Sequence, residues 1–169
     1  IDGDTINFLV FYISSGVCSP VSICPRVAQV RTHPNGDSVV AHYSLGQYDP
    51  LYSISEKLSA VKDAGGTGWW VFYHGESNNK FIRFKVNGDQ VSSLTIQAIG
   101  SSYEYVGLNA LYALGEMSFS PQGDKLLAVT LTGVVDVFDF DRCTGQLSNW
   151  LPLGTPALQV PGSDTYYGC

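Results

Sequence analysis

Three aspartates, Asp136, Asp139 and Asp141, alternate with Val137, Phe138 and Phe140 in one short run. Carboxylate oxygens gathered this closely are what a hard cation such as Ca²⁺ collects, so Asp139 and Asp141, on one face of a strand, are candidate metal ligands. The competing reading is a strand end whose carboxylates are solvated or cap the turn at Thr144-Gly145, and that turn favours it. Ca²⁺ is the one cofactor that comes into question.

His74, Glu76 and Ser77 form a second cluster, with the side-chain types of acid–base or nucleophilic chemistry. No G-x-S-x-G elbow accompanies them, and Gly-Glu-Ser-Asn-Asn (75–79) reads equally well as a hairpin turn. Asn78 and Asn79 in that turn are candidate ligand contacts. His33 sits in a Pro-Asn-Gly-Asp turn and His42 on a strand, and no histidine pair has metal-ligand spacing. Trp69, Trp70, Phe72 and Tyr73 make an aromatic strand, either a sugar-stacking platform or packing between neighbouring sheets, the latter favoured. Tyr103, Tyr105 and Tyr112 fall in a long connection that does not need three tyrosines for a core; they are candidates for an interaction surface, with packing within the loop the competing and favoured reading.

Cysteines stand at 18, 24, 143 and 169. Cys18 and Cys24 bracket a loop containing Pro20. Cys143 lies in the Asp-Arg-Cys-Thr-Gly turn and Cys169 at the start of the next unit, a placement in which they could staple successive blades. Disulfides, free thiols and zinc are the three readings. Disulfides are favoured, because the spacing is not C-x2-C and no histidine lies close. They imply an oxidising, extracytoplasmic setting.

The elements that must position these residues follow from a repeat. Pro34, Gly36, Asp37, Ala41, Gly46 and Asp49 fall without a gap on Pro121, Gly123, Asp124, Ala128, Gly133 and Asp136, a shift of 87. Phe11, Gly16 and Ser19 fall on Phe140, Gly145 and Ser148, a shift of 129. These shifts are close to two and three times 43, within the roughly 40–45 residues of a four-stranded propeller blade. Gly68–Tyr73 and Phe81–Phe84 supply the unit between. Strands are expected over 6–13, 26–32, 38–44, 46–53, 57–62, 68–74, 80–86, 90–97, 115–120, 125–131, 133–140 and 146–151, separated by Asn-Gly and Pro-x-Gly-Asp turns. Such spacing leaves no room for crossover helices. The expectation is an all-β chain of antiparallel four-stranded blades, about three and a half of a larger β-propeller ring. Its approximate units are 1–24, 25–55, 56–97 and 115–151, with a further blade starting at 166–169. Both ends cut across the repeat, as in a piece of a longer protein.

Composition agrees: 44% hydrophobic, 14% charged and 18 glycines among 169 residues. The net charge of −6 argues against nucleic-acid binding, and no apolar run reaches the length of a membrane span.

Phe-Ser-Pro-Gln-Gly-Asp-Lys-Leu-Leu-Ala-Val (119–129), followed by Gly133-Val-Val-Asp-Val-Phe-Asp-Phe-Asp, resembles the blade signature of YVTN/lactonase-like and WD40-like propellers. Glu56-Lys-Leu-Ser-Ala-Val and Phe138-Asp-Phe-Asp-Arg-Cys-Thr-Gly-Gln-Leu-Ser-Asn resemble more narrowly the propellers of large secreted, often PKD-bearing, surface proteins of Bacteroidota exported by a type IX system. That resemblance implies a non-catalytic protein, extracellular or associated with the outer membrane, acting as an adhesion, ligand-binding or assembly scaffold. Its partners are then the remaining blades of the same protein or a partner subunit, and a surface glycan or protein. The alternative is a lactonase-like hydrolase with a metal in the propeller channel. Toward that metal the innermost strands, 57–62 and 115–120, offer Glu116 and Lys62.

Overall fold

The computed structural model describes residues 6–15, 23–45, 54–103, 114–131 and 133–153. Among them are twelve strands and no helix. Strands β1 (Ile6–Ser15), β2 (Ile23–Thr32) and β3 (Ser38–Ser44) form one sheet. A second contains β4 (Ile54–Lys62), β5 (Gly68–Gly75), β6 (Lys80–Asn87), β7 (Gln90–Val91) and β8 (Thr95–Ala98), with β7 and β8 both paired to β6. The third runs β9 (Gly115–Phe119), β10 (Lys125–Thr130), β11 (Val135–Asp141) and β12 (Gln146–Pro152) in order. Every pairing is antiparallel. These are successive blades of a partial β-propeller.

The duplicated Pro-x-Gly-Asp phrase forms the same turn twice, between β2 and β3 and between β9 and β10. Gly36 N donates to His33 O at 3.0 Å and Gly123 N to Ser120 O at 2.8 Å, both glycines holding positive φ. In the second copy the Ser120 hydroxyl also accepts from the backbone N–H groups of Asp124 and Lys125, each at 3.1 Å. The side chain thereby satisfies donors that a bare turn leaves to water.

Three expectations change. The repeat assigns residues 6–13 and 26–32 to different units, yet β1 and β2 pair from Ile6–Thr32 to Ser15–Ile23. The short 16–22 connection makes them neighbours, and pairing satisfies a full row of backbone groups. The expected strand 90–97 is divided into β7 and β8, because the Ser92 hydroxyl takes the Lys85 N–H at 2.8 Å and interrupts the ladder. The expected strand 46–53 lies outside the described residues.

Two cores fill the seams. Between the second and third sheets, Trp70, Phe72 and Phe81 pack on Met117, Leu126, Ala128, Phe138, Phe140 and Leu147. Phe72–Phe140 and Phe81–Phe138 meet edge to face at 5.4 and 5.1 Å. On the other side, Val71, Tyr73, Ile82, Phe84 and Val86 pack against Leu9 and Phe11 of β1. Successive residues of a strand point to opposite faces, so β5 supplies aromatic or branched side chains to both seams. The aromatic strand Trp69–Tyr73 is therefore mostly packing.

Polar ties reinforce the second seam. The Gln97 amide acts like a strand residue, accepting from Leu147 N at 3.0 Å and donating to Leu147 O at 2.6 Å, while Arg83 donates to the same Gln97 oxygen at 2.8 Å. Arg142 donates to the carbonyls of Lys62, Asp63 and Gln122.

Candidate functional site

Lys57, His74, Tyr103 and Asp136 come together, all buried, at one end of the seam between the second and third sheets. A register shift between Ile54 and Leu58 sets Lys57 inward, between the exposed Glu56 and Leu58. His74 closes β5, Asp136 lies on β11, and Tyr103 arrives from the segment after β8. That segment passes close to β11 because Gly100 has φ 92° and no Cβ. An added Cβ would lie 2.7 Å from the Phe138 ring.

Asp136 organises the cluster. One carboxylate oxygen accepts from Ser101 Oγ at 3.0 Å and Trp150 Nε1 at 2.9 Å. The other accepts from Ser101 N at 3.0 Å and Tyr103 Oη at 2.9 Å. With two donors on each oxygen, a buried charge is stabilised by hydrogen bonds from two separate segments, 101–103 and β12.

The Tyr103 ring lies 4.6 Å from the His74 ring, and Lys57 Nζ lies 5.1 Å from the Tyr103 centroid. His74 Nδ1 is 2.7 Å from Gly75 O. A carbonyl oxygen only accepts, so the proton sits on Nδ1 and Nε2 is a bare acceptor. No hydrogen bond reaches it. Burial, with the nearby Lys57 charge, pushes the His74 imidazole down to about 3. Burial lowers Lys57 to about 8 against the opposing pull of Glu56. Burial and Asp136 raise the Tyr103 phenol above its usual range.

A neutral imidazole beside an ammonium that titrates near pH 8 has the protonation states of acid–base chemistry. Both groups are nevertheless sealed from solvent, and their contacts clamp the seam. Toward the solvent, Glu56 Oε1 accepts from Gly115 N at 3.3 Å, joining the first strands of the two sheets.

The residues singled out from the sequence have the following places. Tyr103 is not on an interaction surface; its hydroxyl is committed to Asp136 inside the seam. Tyr105 and Tyr112 lie outside the described residues. Asn78 and Asn79 shape the β5–β6 turn: Asn78 Nδ2 donates to Glu76 O at 2.6 Å, Asn78 Oδ1 accepts from Lys80 N at 2.8 Å, and Asn79 Nδ2 donates to Gly100 O at 3.4 Å. Asp139 is engaged by Lys125 and, at 2.8 Å, by Asn149 Nδ2. Asp141 caps the following turn, accepting from Cys143 N and Thr144 Oγ1 at 2.8 Å each. Both carboxyls are held below the usual range, Asp139 chiefly by Asn149 and Lys125 and Asp141 by Thr144 and Cys143. No metal-holding cluster occurs among the described residues. Cys143 is exposed and has no disulfide partner among the described residues. Cys18 and Cys169 lie outside the described residues, and Cys24 pairs with Ser14 along the β1–β2 ladder.

From the sequence, Asp136 stands out only in its run with Asp139 and Asp141, and Lys57 only as the first residue of an expected strand. Lys57 stands in a strand of mixed polarity, Ile54–Lys62, and only the register shift decides its side.

At the other seam a cavity of about 680 Å³ opens between β1 and the second sheet, with Leu9, Phe11, Val71 and Val86 among its walls. Trp69 also lines it, 44% exposed, together with Asn7, Gln29 and Asp89. Trp69 borders a second cavity of about 390 Å³ as well, where Lys62 and Arg142 form part of the wall. Lys62 Nζ stands 5.6 Å from the indole centroid.

No protein-family model matches the chain, and no curated protein does. Among solved structures, a putative 6-phosphogluconolactonase from Bacteroides fragilis is similar with a TM-score of 0.49 and 12% identity, over 86% of this chain and 42% of that one. A periplasmic gluconolactonase from Pseudomonas aeruginosa is similar with a TM-score of 0.46 and 18% identity, over 85% of this chain and 38% of that one. The chain thus spans about two fifths of the length of either.

Proposed function

We propose that the chain is a non-catalytic propeller acting as a binding and assembly scaffold, at the cell surface or outside the cell. The observation that carries this reading is the first sheet's exposed apolar surface. Ile6, Phe8 and Val10 alternate along β1 and Val39 and Val40 lie on β3, each 46–56% exposed. Scattered exposed apolar residues are ordinary, but Phe8 is aligned through Val30 with Val39, and Ile6 and Val10 flank Phe8 on the same face, a patch of the kind that marks an interface. In a radial stack of blades such a face is covered by the next sheet, so the fitting occupant is another blade, from the remainder of the same protein or from a partner subunit.

Sedimentation velocity over a concentration series tests the reading. The wild type is expected to self-associate through this face and Phe8→Asp to run as a monomer. A wild type that stays monomeric and soluble at high concentration overturns it.

A second reading, hydrolysis of a sugar lactone, draws on the cluster of Lys57, His74, Tyr103 and Asp136 at one end of the blade seam, which the seam would have to open to expose. Gluconolactone is the substrate to try, with and without a divalent cation. A rate no greater than spontaneous hydrolysis removes this reading.

A further inference from the structure

The larger seam cavity has the size and mixed lining of a small-molecule site, where pockets of roughly 300–1,000 Å³ are mostly apolar with a few convergent polar groups. Its walls are the apolar side chains of β1, β5 and β6, and its polar groups are Asn7, Gln29 and Asp89. Among the described residues lining it, Asp89 carries the only charge. That carboxylate accepts from Gln90 Nε2 at 3.1 Å but has no ion pair among the described residues. Trp69 presents a partly exposed indole to the same space. The ammonium of Lys62, which stands over that ring, belongs to the wall of the smaller cavity. Arg31 of β2 donates to Oδ1 of Asn7 in the cavity wall at 3.2 Å.

An indole face, apolar walls and a lone carboxylate form the combination that recognises organic cations, through the ring quadrupole and direct charge attraction. The net charge of −6 adds a field that draws cations toward the molecule. We propose that this cavity binds a small organic cation, an amine or quaternary ammonium group carried on an aromatic or aliphatic body. The body packs against Phe11, Val71 and Val86, and the head lies between Trp69 and Asp89. This goes beyond the scaffold reading; Ile6 and Phe8 of the exposed face also line the cavity, so binding is measured at concentrations where the chain is monomeric.

Three probes that share a benzyl-like body separate the possibilities: benzyltrimethylammonium, benzyl alcohol and benzoate. Binding to the full chain is measured by tryptophan fluorescence and by saturation-transfer NMR. Benzyltrimethylammonium is expected to bind about 10-fold more tightly than benzyl alcohol, with benzoate weakest. Asp89→Asn, an exposed substitution that leaves the fold intact, should weaken the cation about 5-fold and leave benzyl alcohol unchanged. Trp69→Leu should weaken both. Equal affinity for all three probes overturns the proposal in favour of a non-selective apolar gap. Preference for benzoate overturns it in favour of Arg31. Cation binding that Asp89→Asn does not alter also overturns it, and that variant decides the matter even where Trp69→Leu fails to fold.

Discussion

Acidification from pH 7 to 4.5 tests the buried His74 directly. Its imidazole is fully enclosed, donates Nδ1–H to Gly75 O and has no partner at Nε2, so a second proton has no place to be stabilised. The folded value of about 3 lies below the usual 6.5, so the unfolded chain binds the extra proton first. Stability is therefore complete above about pH 6.5 and falls as pH drops toward 3. Between pH 7 and 4.5 the slope approaches 1.4 kcal/mol per pH unit for one proton, a loss of about 2–3 kcal/mol. That figure depends on the unfolded value, since the folded imidazole stays neutral throughout this window. Asp63, Asp139 and Asp141, held below the usual carboxylate range, lose their contributions only at lower pH. Urea unfolding followed by tryptophan fluorescence at several pH values measures the slope. His74→Phe keeps a ring against Phe81 and Tyr103 and removes the titration, so its stability should change little across the window. An equally steep fall in His74→Phe, or a flat wild type, refutes the reasoning.

Lys57 predicts the opposite limb of the pH profile. Its folded value of about 8 lies below 10.5, so wild-type stability should rise by about 1–2 kcal/mol between pH 8 and 9.5, and Lys57→Met should abolish the rise in the same urea titrations. Asp136→Ala leaves four donors without an acceptor and should lower stability by at least about 3 kcal/mol in urea, with Asp136→Asn costing less because it retains an oxygen.

The scaffold of this fold is legible in the chain because turn chemistry and period-two alternation are local. Gly36 and Gly123 mark the same turn twice, and the second and third sheets follow the pattern of Phe81–Phe84 and Val135–Phe138. What is not legible depends on contacts between distant residues. Tyr103 reads as a loop residue until Asp136 takes its hydroxyl. The side on which Lys57 falls is set by an irregular pairing in the β4–β5 ladder, which no local pattern reports. The pairing of β1 with β2 was obscured because a repeat alignment compares residues and does not report which strands meet.

Strand β5 stands as a common wall, with Trp70 and Phe72 facing one core and Val71 and Tyr73 the other. In a chain of modular repeats each unit can melt by itself, to the extent that neighbouring interfaces are weak. Here no side chain can be withdrawn from one compartment without disturbing the backbone that braces its neighbour. The two seams should consequently exchange their amide protons as one cooperative block, and damage to either will register in both.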